Sequence, residues 1–189
     1  TVSVGVFAVG VMLGGYYAAF GGVINSMLIP RANQVVVAQS DGLTLTNMMI
    51  KYSRMNSFIM SLVLCGFFLF GREFIYLWIG ESYMLSYYVT LLMMLGLTIL
   101  IIQGFGNYIL GAKKKNRFKS LLSLTTVTVA IVCGYFLSRD YGILGVTIPL
   151  CIVMAINGLV MNVYFMKIFD FKPLLFIKES LINLIIVHS

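Results

Sequence analysis

The chain has 189 residues, of which 60% are hydrophobic and 10% charged, with 13 Lys and Arg against 6 Asp and Glu. Soluble domains carry about 25% charged residues, and a domain of this size cannot hide so much apolar surface in one core. Composition excludes a water-soluble globular domain and makes lipid the solvent for most of the chain.

Taken in order, the hydropathy pattern predicts an all-α polytopic membrane protein. Its five complete transmembrane helices fall at Val4–Ile29, Asn56–Gly71, Met84–Leu110, Leu121–Leu137 and Gly142–Phe165. Each is near the roughly 20 residues that a bilayer core requires. A sixth span is expected to begin near Leu174. The first span carries small residues four apart, Gly10, Gly14, Ala18, Gly22 and Ser26, a pattern that lets another helix backbone come close. Between the first two spans, Pro30–Met55 places Leu45, Met48, Met49, Tyr52 and Met55 at helical spacing. Two readings of that segment stand side by side: an interfacial helix, or an ordinary extension of the second span. The second span can also lengthen into FIYLWIG, whose Tyr76 and Trp78 suit a membrane–water boundary. Pro149 either eases the start of the fifth span or kinks it.

The cations sort by loop. Arg31, Lys51 and Arg54 follow the first span, Lys113, Lys114, Lys115, Arg117 and Lys119 the third, and Lys167, Lys172 and Lys178 the fifth, while the alternate loops hold only Arg72 and Arg139. The positive-inside rule puts the first group in the cytoplasm. Residues 31–54 and 113–119 are thus expected inside, and 72–83 and 139–141 outside. The loop LGAKKKNRFKS reads as a cytoplasmic anchor in contact with membrane lipids. It has no groove-reading or stacking residues, so no nucleic-acid partner is expected. The first span then runs from outside to inside, and further spans are expected upstream.

No carboxylate pair, activated nucleophile or phosphate-cradling glycine loop is visible, so no enzyme, cofactor or metal site is expected. Cys65, Cys133 and Cys151 lie in apolar runs without metal-ligand spacing, and His188 is next to last. The spans do carry amides at Asn25, Gln103, Asn107, Asn157 and Asn162, with Tyr16 and Tyr17 beside them. An amide in hydrocarbon must face protein or water. Each therefore either ties helices together or lines a polar cavity, and Gln103 and Asn107 share one face a turn apart.

Three segments together resemble a known family: MLIPRANQ at Met27–Gln34, FGREFIYLWIGESYMLS at Phe70–Ser86 and IQGFGNYILGAKKKNRF at Ile102–Phe118. In this order they are similar to the Wzx-type polysaccharide flippases, of the multidrug/oligosaccharidyl-lipid/polysaccharide exporter superfamily. The resemblance implies a two-bundle transporter of about twelve to fourteen spans. Residues 1–189 would form a partial transmembrane domain in its C-terminal half, from roughly the eighth span to the thirteenth. It further implies a bacterial plasma (inner) membrane protein that moves lipid-diphosphate-linked oligosaccharide outward by alternating access, for surface polysaccharide such as O-antigen. The other half of the same protein, and other polysaccharide-assembly proteins, are the partners it implies. On this reading Asn25, Gln103, Asn107, Asn157, Tyr16 and Tyr17 are cavity candidates for the sugar, and Arg31 and Arg54 are headgroup candidates at the cytoplasmic entry. The competing readings are a multidrug or cation antiporter, a peptidoglycan-precursor flippase, a membrane-embedded enzyme of a glycan pathway and a non-transporting scaffold.

Overall fold

The structure is a computed structural model that describes residues 2–38 and 42–169. The described residues are helical, without strands: α1 (Val2–Ser26), α2 (Ile29–Val37), α3 (Gly42–Trp78), a 3₁₀ turn at Glu81–Tyr83, α4 (Leu85–Ile102), α5 (Gly104–Ala112) and α6 (Arg117–Phe169). Four helices, Val2–Ser26, Gly42–Trp78, Glu81–Ile102 and Arg117–Phe165, are long and apolar enough to cross a membrane. Helices are what an apolar chain forms in lipid, where only intrasegment bonding satisfies every backbone N–H and C=O.

Three expectations change in detail. The first span stops at Ser26, because Pro30 has no N–H to continue the ladder and instead opens a new helix, α2, in its first turn. The third span is interrupted at Gln103, whose φ of −84° and ψ of 4° leave the helical region between α4 and α5. The second span and the segment before it are one continuous 37-residue helix, so the segment is an extension of the span that continues through Trp78. At 1.5 Å per residue α3 is about 55 Å long, well beyond a bilayer core of about 30 Å. The sixth span, with Lys172 and Lys178, lies outside the described residues.

α6 is not a single rod. Gly142 has φ 58° and ψ −130°, a conformation open to glycine and costly for other residues, and it divides the helix into arms 117–141 and 143–169. The arms fold back on each other. Gly145 sits against the Leu137 carbonyl, Gly134 faces Val146, Asn157 reaches Thr126, and the Phe118 and Tyr164 rings stack with centroids 4.2 Å apart. Pairs farther along the first arm from the turn match pairs farther along the second, as an antiparallel hairpin requires. Pro149 lies in the second arm without a departure from helical dihedrals of its own.

α4 runs at the centre. Gly10 and Gly14 of α1 face Val89 and Met93, Gly21 faces Ile101, and Ser86 Oγ donates to Val6 O, so α1 and α4 are parallel. Gly96 meets Met154 and Gly158 meets Ile99, so the second arm of α6 is parallel to α4 as well. α3 is antiparallel: Tyr87 OH donates to Phe68 O at one end and Ser53 Oγ to Ile102 O at the other. These directions gather Arg31, Lys51, Arg54, Lys113, Lys114, Lys115, Arg117, Lys119 and Lys167 at one end of the bundle, hereafter the basic end. Arg72 and Arg139 are at the other.

The close contact of α1 does not follow the strict four-residue stripe. Positions four apart drift by about 40° around a helix, so the interface moves from Gly10 and Gly14 to Tyr17, Gly21 and Asn25. A Cβ on Gly22 would have no atom within 4 Å. At the basic end α5 finishes with Lys114 in a left-handed conformation (φ 54°), while Lys115 N donates to Leu110 O at 3.0 Å. This is a Schellman-type cap with lysine where glycine is usual, and it satisfies a terminal carbonyl before the chain enters α6.

Candidate functional site: an amide belt where two helices break

The two interruptions lie side by side. α1 ends with Asn25 and Ser26 next to the point where α4 gives way to α5. A break in a buried helix releases backbone carbonyls, and inside lipid these need side-chain donors. Asn25 Nδ2 donates to Ile101 O at 3.0 Å, and Ser53 Oγ donates to Ile102 O at 2.9 Å. Asn56 Nδ2 in turn donates to Asn25 Oδ1 at 2.6 Å. Gln103, the residue at the break, donates from Nε2 to Gly158 O in the second arm of α6 at 2.7 Å. One polar belt thus ties α1, α3, the α4–α5 junction and α6 together at a single level.

The glycines of GFG fit this junction. A Cβ on Gly104 would occupy the space of the Asn25 amide, and one on Gly106 would run into Met49 and Phe165. The motif is a packing notch that admits the Asn25 side chain to the backbone. Beyond it, Leu28, Ala32 and Val35 of the α1–α2 region close on Phe105, Ile109 and Leu110 of α5, with Met49, Met161 and Phe165 filling the core.

The structure brings two predicted cavity residues, Asn25 and Gln103, directly into this belt, both fully buried and both hydrogen-bonded between helices. Tyr17 lies near it, buried, with its hydroxyl donating to Met60 O at 3.1 Å and 2.6 Å from Thr98 Oγ1. Tyr16 is 65% exposed on another face and does not join the group. Asn157 lies within the hairpin, donating from Nδ2 to Thr126 Oγ1 at 3.3 Å. Asn107 is one turn beyond Gln103, and its Oδ1 is enclosed without a donor, as are Asn162 Oδ1, Asn56 Oδ1 and Ser57 Oγ. Arg31 and Arg54 are exposed at the basic end.

Sequence reasoning passed over Ser53, Asn56 and Ser57, because they fall at the boundary drawn for the second span. Their signal was available: they are three polar residues within five positions, in a helix whose neighbours are Met49, Ile50 and Met60. Among the described residues no group of His, Cys, Asp and Glu is placed to hold a metal ion, and none of the three cysteines forms a disulfide. Glu73, Glu81 and Asp140 lie at the end away from the basic loops, outside the belt. Two clefts open at that same end. One, of about 610 Å³, is walled by Phe7, Leu85, Tyr141, Ile143 and Val146; the other, of about 250 Å³, by Arg72, Glu73 and Tyr76. None of the predicted amides lines either.

Neither family models, nor curated proteins, nor solved structures contain a match to the chain.

Proposed function

We infer that the chain is part of a multi-pass transporter that carries lipid-diphosphate-linked oligosaccharide across the bacterial plasma membrane from the basic end, which is cytoplasmic. The observation that carries the transporter reading is the pair of helix breaks meeting at a belt of buried amides. Helices interrupted at a cluster of buried amides are a usual material of a transport site, because irregular backbone in a membrane protein is tolerated only where protein or a cavity satisfies it. Counting the two arms of α6 separately, α1, α3, α4–α5 and those arms would make five spans. The cargo class rests on the three segments that resemble the Wzx-type flippases, two of which, Met27–Gln34 and Ile102–Phe118, are the segments that form the breaks. Alternating access would work the bundle about the belt, and the Lys and Arg side chains of the basic end would receive the diphosphate, for which guanidinium and ammonium groups suit best.

The test uses the full-length protein in cells. Single cysteines at Lys114 and Glu81, in a background without the native three, are labelled by an impermeant thiol reagent from opposite faces of the membrane. Loss of the protein abolishes surface glycan while lipid-linked oligosaccharide accumulates inside. Labelling of both cysteines from one face, or unchanged glycan export in cells lacking the protein, would overturn the reading.

A further inference from the structure

The first arm of α6 packs along one face. Gly134 faces Val146, Ala130 is buried, Thr126 Oγ1 accepts from Asn157 Nδ2, and Leu122 lies against the core that contains Phe165. These positions stand four residues apart, and the next member of the face toward the basic end, three residues before Leu122, is Lys119. A packing face that is otherwise small or apolar thus ends on an ammonium group. Lys119 is half-buried there, and it meets no carboxylate and no other acceptor among the described residues. Phe118, beside it, stacks on Tyr164 of the second arm, and this ring pair marks the mouth of the hairpin. Lys167 follows Tyr164 by three residues, a little under one turn, while Lys115 and Arg117 lead into Phe118. Cations from both arms therefore stand at the mouth.

A partly buried charge is costly to leave unpaired, because protein replaces some of its water without supplying a counterion. The described acids, Glu73, Glu81 and Asp140, all stand at the other end of the bundle. Asp41, Asp170 and Glu179 lie outside the described residues. A lysine can carry its ammonium to water along its own stem, but water does not relieve the repulsion among several cations at one mouth, and an anion does. Next to the mouth the two arms expose Leu121, Leu124, Leu159 and Val163. An anion that arrives with apolar chains is therefore matched at both its ends, whereas a soluble anion leaves the apolar flank bare. We propose that the mouth of the α6 hairpin seats the phosphate of one anionic phospholipid of the surrounding bilayer, with Lys119 as its innermost contact and Lys115, Arg117 and Lys167 about it. Basic pockets between membrane helices hold anionic headgroups in this way. Such a seat differs from a loop's general attraction to a charged surface, because it is fixed on a side chain of the packing face. It rests on the chain spanning a membrane and not on the cargo, for which Arg31 of α2 and Arg54 of α3 remain.

The experiment follows the unfolding midpoint of the full-length protein in nanodiscs of phosphatidylcholine, with and without a minor fraction of phosphatidylglycerol. Phosphatidylglycerol should raise the wild-type midpoint, and the rise should survive high salt, which screens exposed charges far more than partly buried ones. Lys119→Met keeps the apolar stem and removes the charge. In pure phosphatidylcholine its midpoint should equal or exceed that of the wild type, and most of the rise with phosphatidylglycerol should be gone. Lys51→Met, at an exposed cation of the same end on α3, should keep the rise. Read as affinity for phosphatidylglycerol, the loss at Lys119 should exceed the roughly fivefold that one exposed cation contributes near an anionic surface, and the loss at Lys51 should not. Equal losses in the two variants mean a diffuse charge effect and overturn the seat, as does the absence of any rise in the wild type. A midpoint that Lys119→Met lowers equally in both lipids overturns it too, since the ammonium is then held by the chain itself, for which Asp170, three residues past Lys167, is the nearest carboxylate in sequence. Polyprenyl diphosphate added to pure phosphatidylcholine discs separates cargo from bilayer lipid: if it alone produces a rise that depends on Lys119, the mouth serves the cargo and the proposal fails. Native mass spectrometry of the wild type needs no variant to fold. One phosphatidylglycerol should be retained in preference to phosphatidylcholine on release from neutral detergent, and retention of none, or of a graded series, overturns a single seat.

Discussion

The amide belt and the α6 hairpin interrupt apolar helices in opposite ways. At the belt the interruptions at Ser26 and Gln103 are buried, and Asn25, Ser53, Asn56 and Gln103 are drawn in to satisfy the carbonyls and amides around them. At the hairpin the chain turns at Gly142, exposed at the end of the bundle, and a single glycine with φ 58° suffices. The depth of a helix break, more than its sharpness, sets how many polar side chains it needs. Deep breaks recruit polar residues that conflict with their apolar surroundings, and such conflicts concentrate where a protein works.

The sharpest way to break this comparison is to fill the notch that admits Asn25. Gly104→Ala puts a Cβ where the Asn25 amide now lies, whereas Gly66→Ala adds one where no atom stands within 4 Å. Overpacking costs about 1–3 kcal/mol, while alanine for glycine in an unobstructed helix is neutral or favourable by up to about 1 kcal/mol. Unfolding midpoints of the purified full-length variants should fall clearly for Gly104→Ala and hold or rise for Gly66→Ala. Equal midpoints would mean that Asn25 does not occupy the notch.

The next effect separates a hydrogen-bonded chain from independent contacts. Asn25→Leu leaves Asn56 Nδ2 without its acceptor and takes from Ile101 O one of its two donors, the Gln103 N–H remaining, so about 1–3 kcal/mol should be lost. Adding Asn56→Leu removes the orphaned amide and should cost less than the two single changes summed. A strictly additive double variant would show that the belt is not a connected network.

Much of the architecture was legible in sequence because it depends on totals and on sides. Apolar windows locate long helices, and cations gathered in alternate loops group the ends, as the shared end of Arg31, Lys113 and Lys167 bears out. The break at Gln103 has only the glycines of GFG as a mark in sequence, with no proline, and Ile101, Ile102 and Phe105 around it are as apolar as any helix interior. What holds it open is Asn25, 78 positions away, inserted against Gly104. The register of α1 was misread for a simpler reason: a four-residue stripe is not a straight line on a 3.6-residue helix, so Gly22 leaves the interface that Gly10 and Gly14 begin. Of the candidate site, the choice of amides as the notable residues came from sequence. Which of them are already bonded and which have an open acceptor came only from their neighbours.

The smallest expected effect is at the hairpin. Asn157 Nδ2 reaches Thr126 Oγ1 at 3.3 Å, longer than the 2.6–3.0 Å bonds of the belt. Thr126 Oγ1 already donates to Leu122 O at 2.7 Å, so it keeps a partner when Asn157 is removed. Nothing buried is orphaned, and hydrogen bonds between membrane helices average only about 0.6 kcal/mol. Asn157→Leu should therefore shift the unfolding midpoint far less than Asn25→Leu, even though both delete an interhelical amide from an apolar helix. The contrast also bears on the proposed sugar path, for which Asn157 is a candidate wall residue. With protein abundance and surface glycan measured together in cells, a purely structural Asn157 gives near-normal values of both. Export that falls while abundance holds would place Asn157 on the path of the cargo and shift the working surface from the belt toward the hairpin.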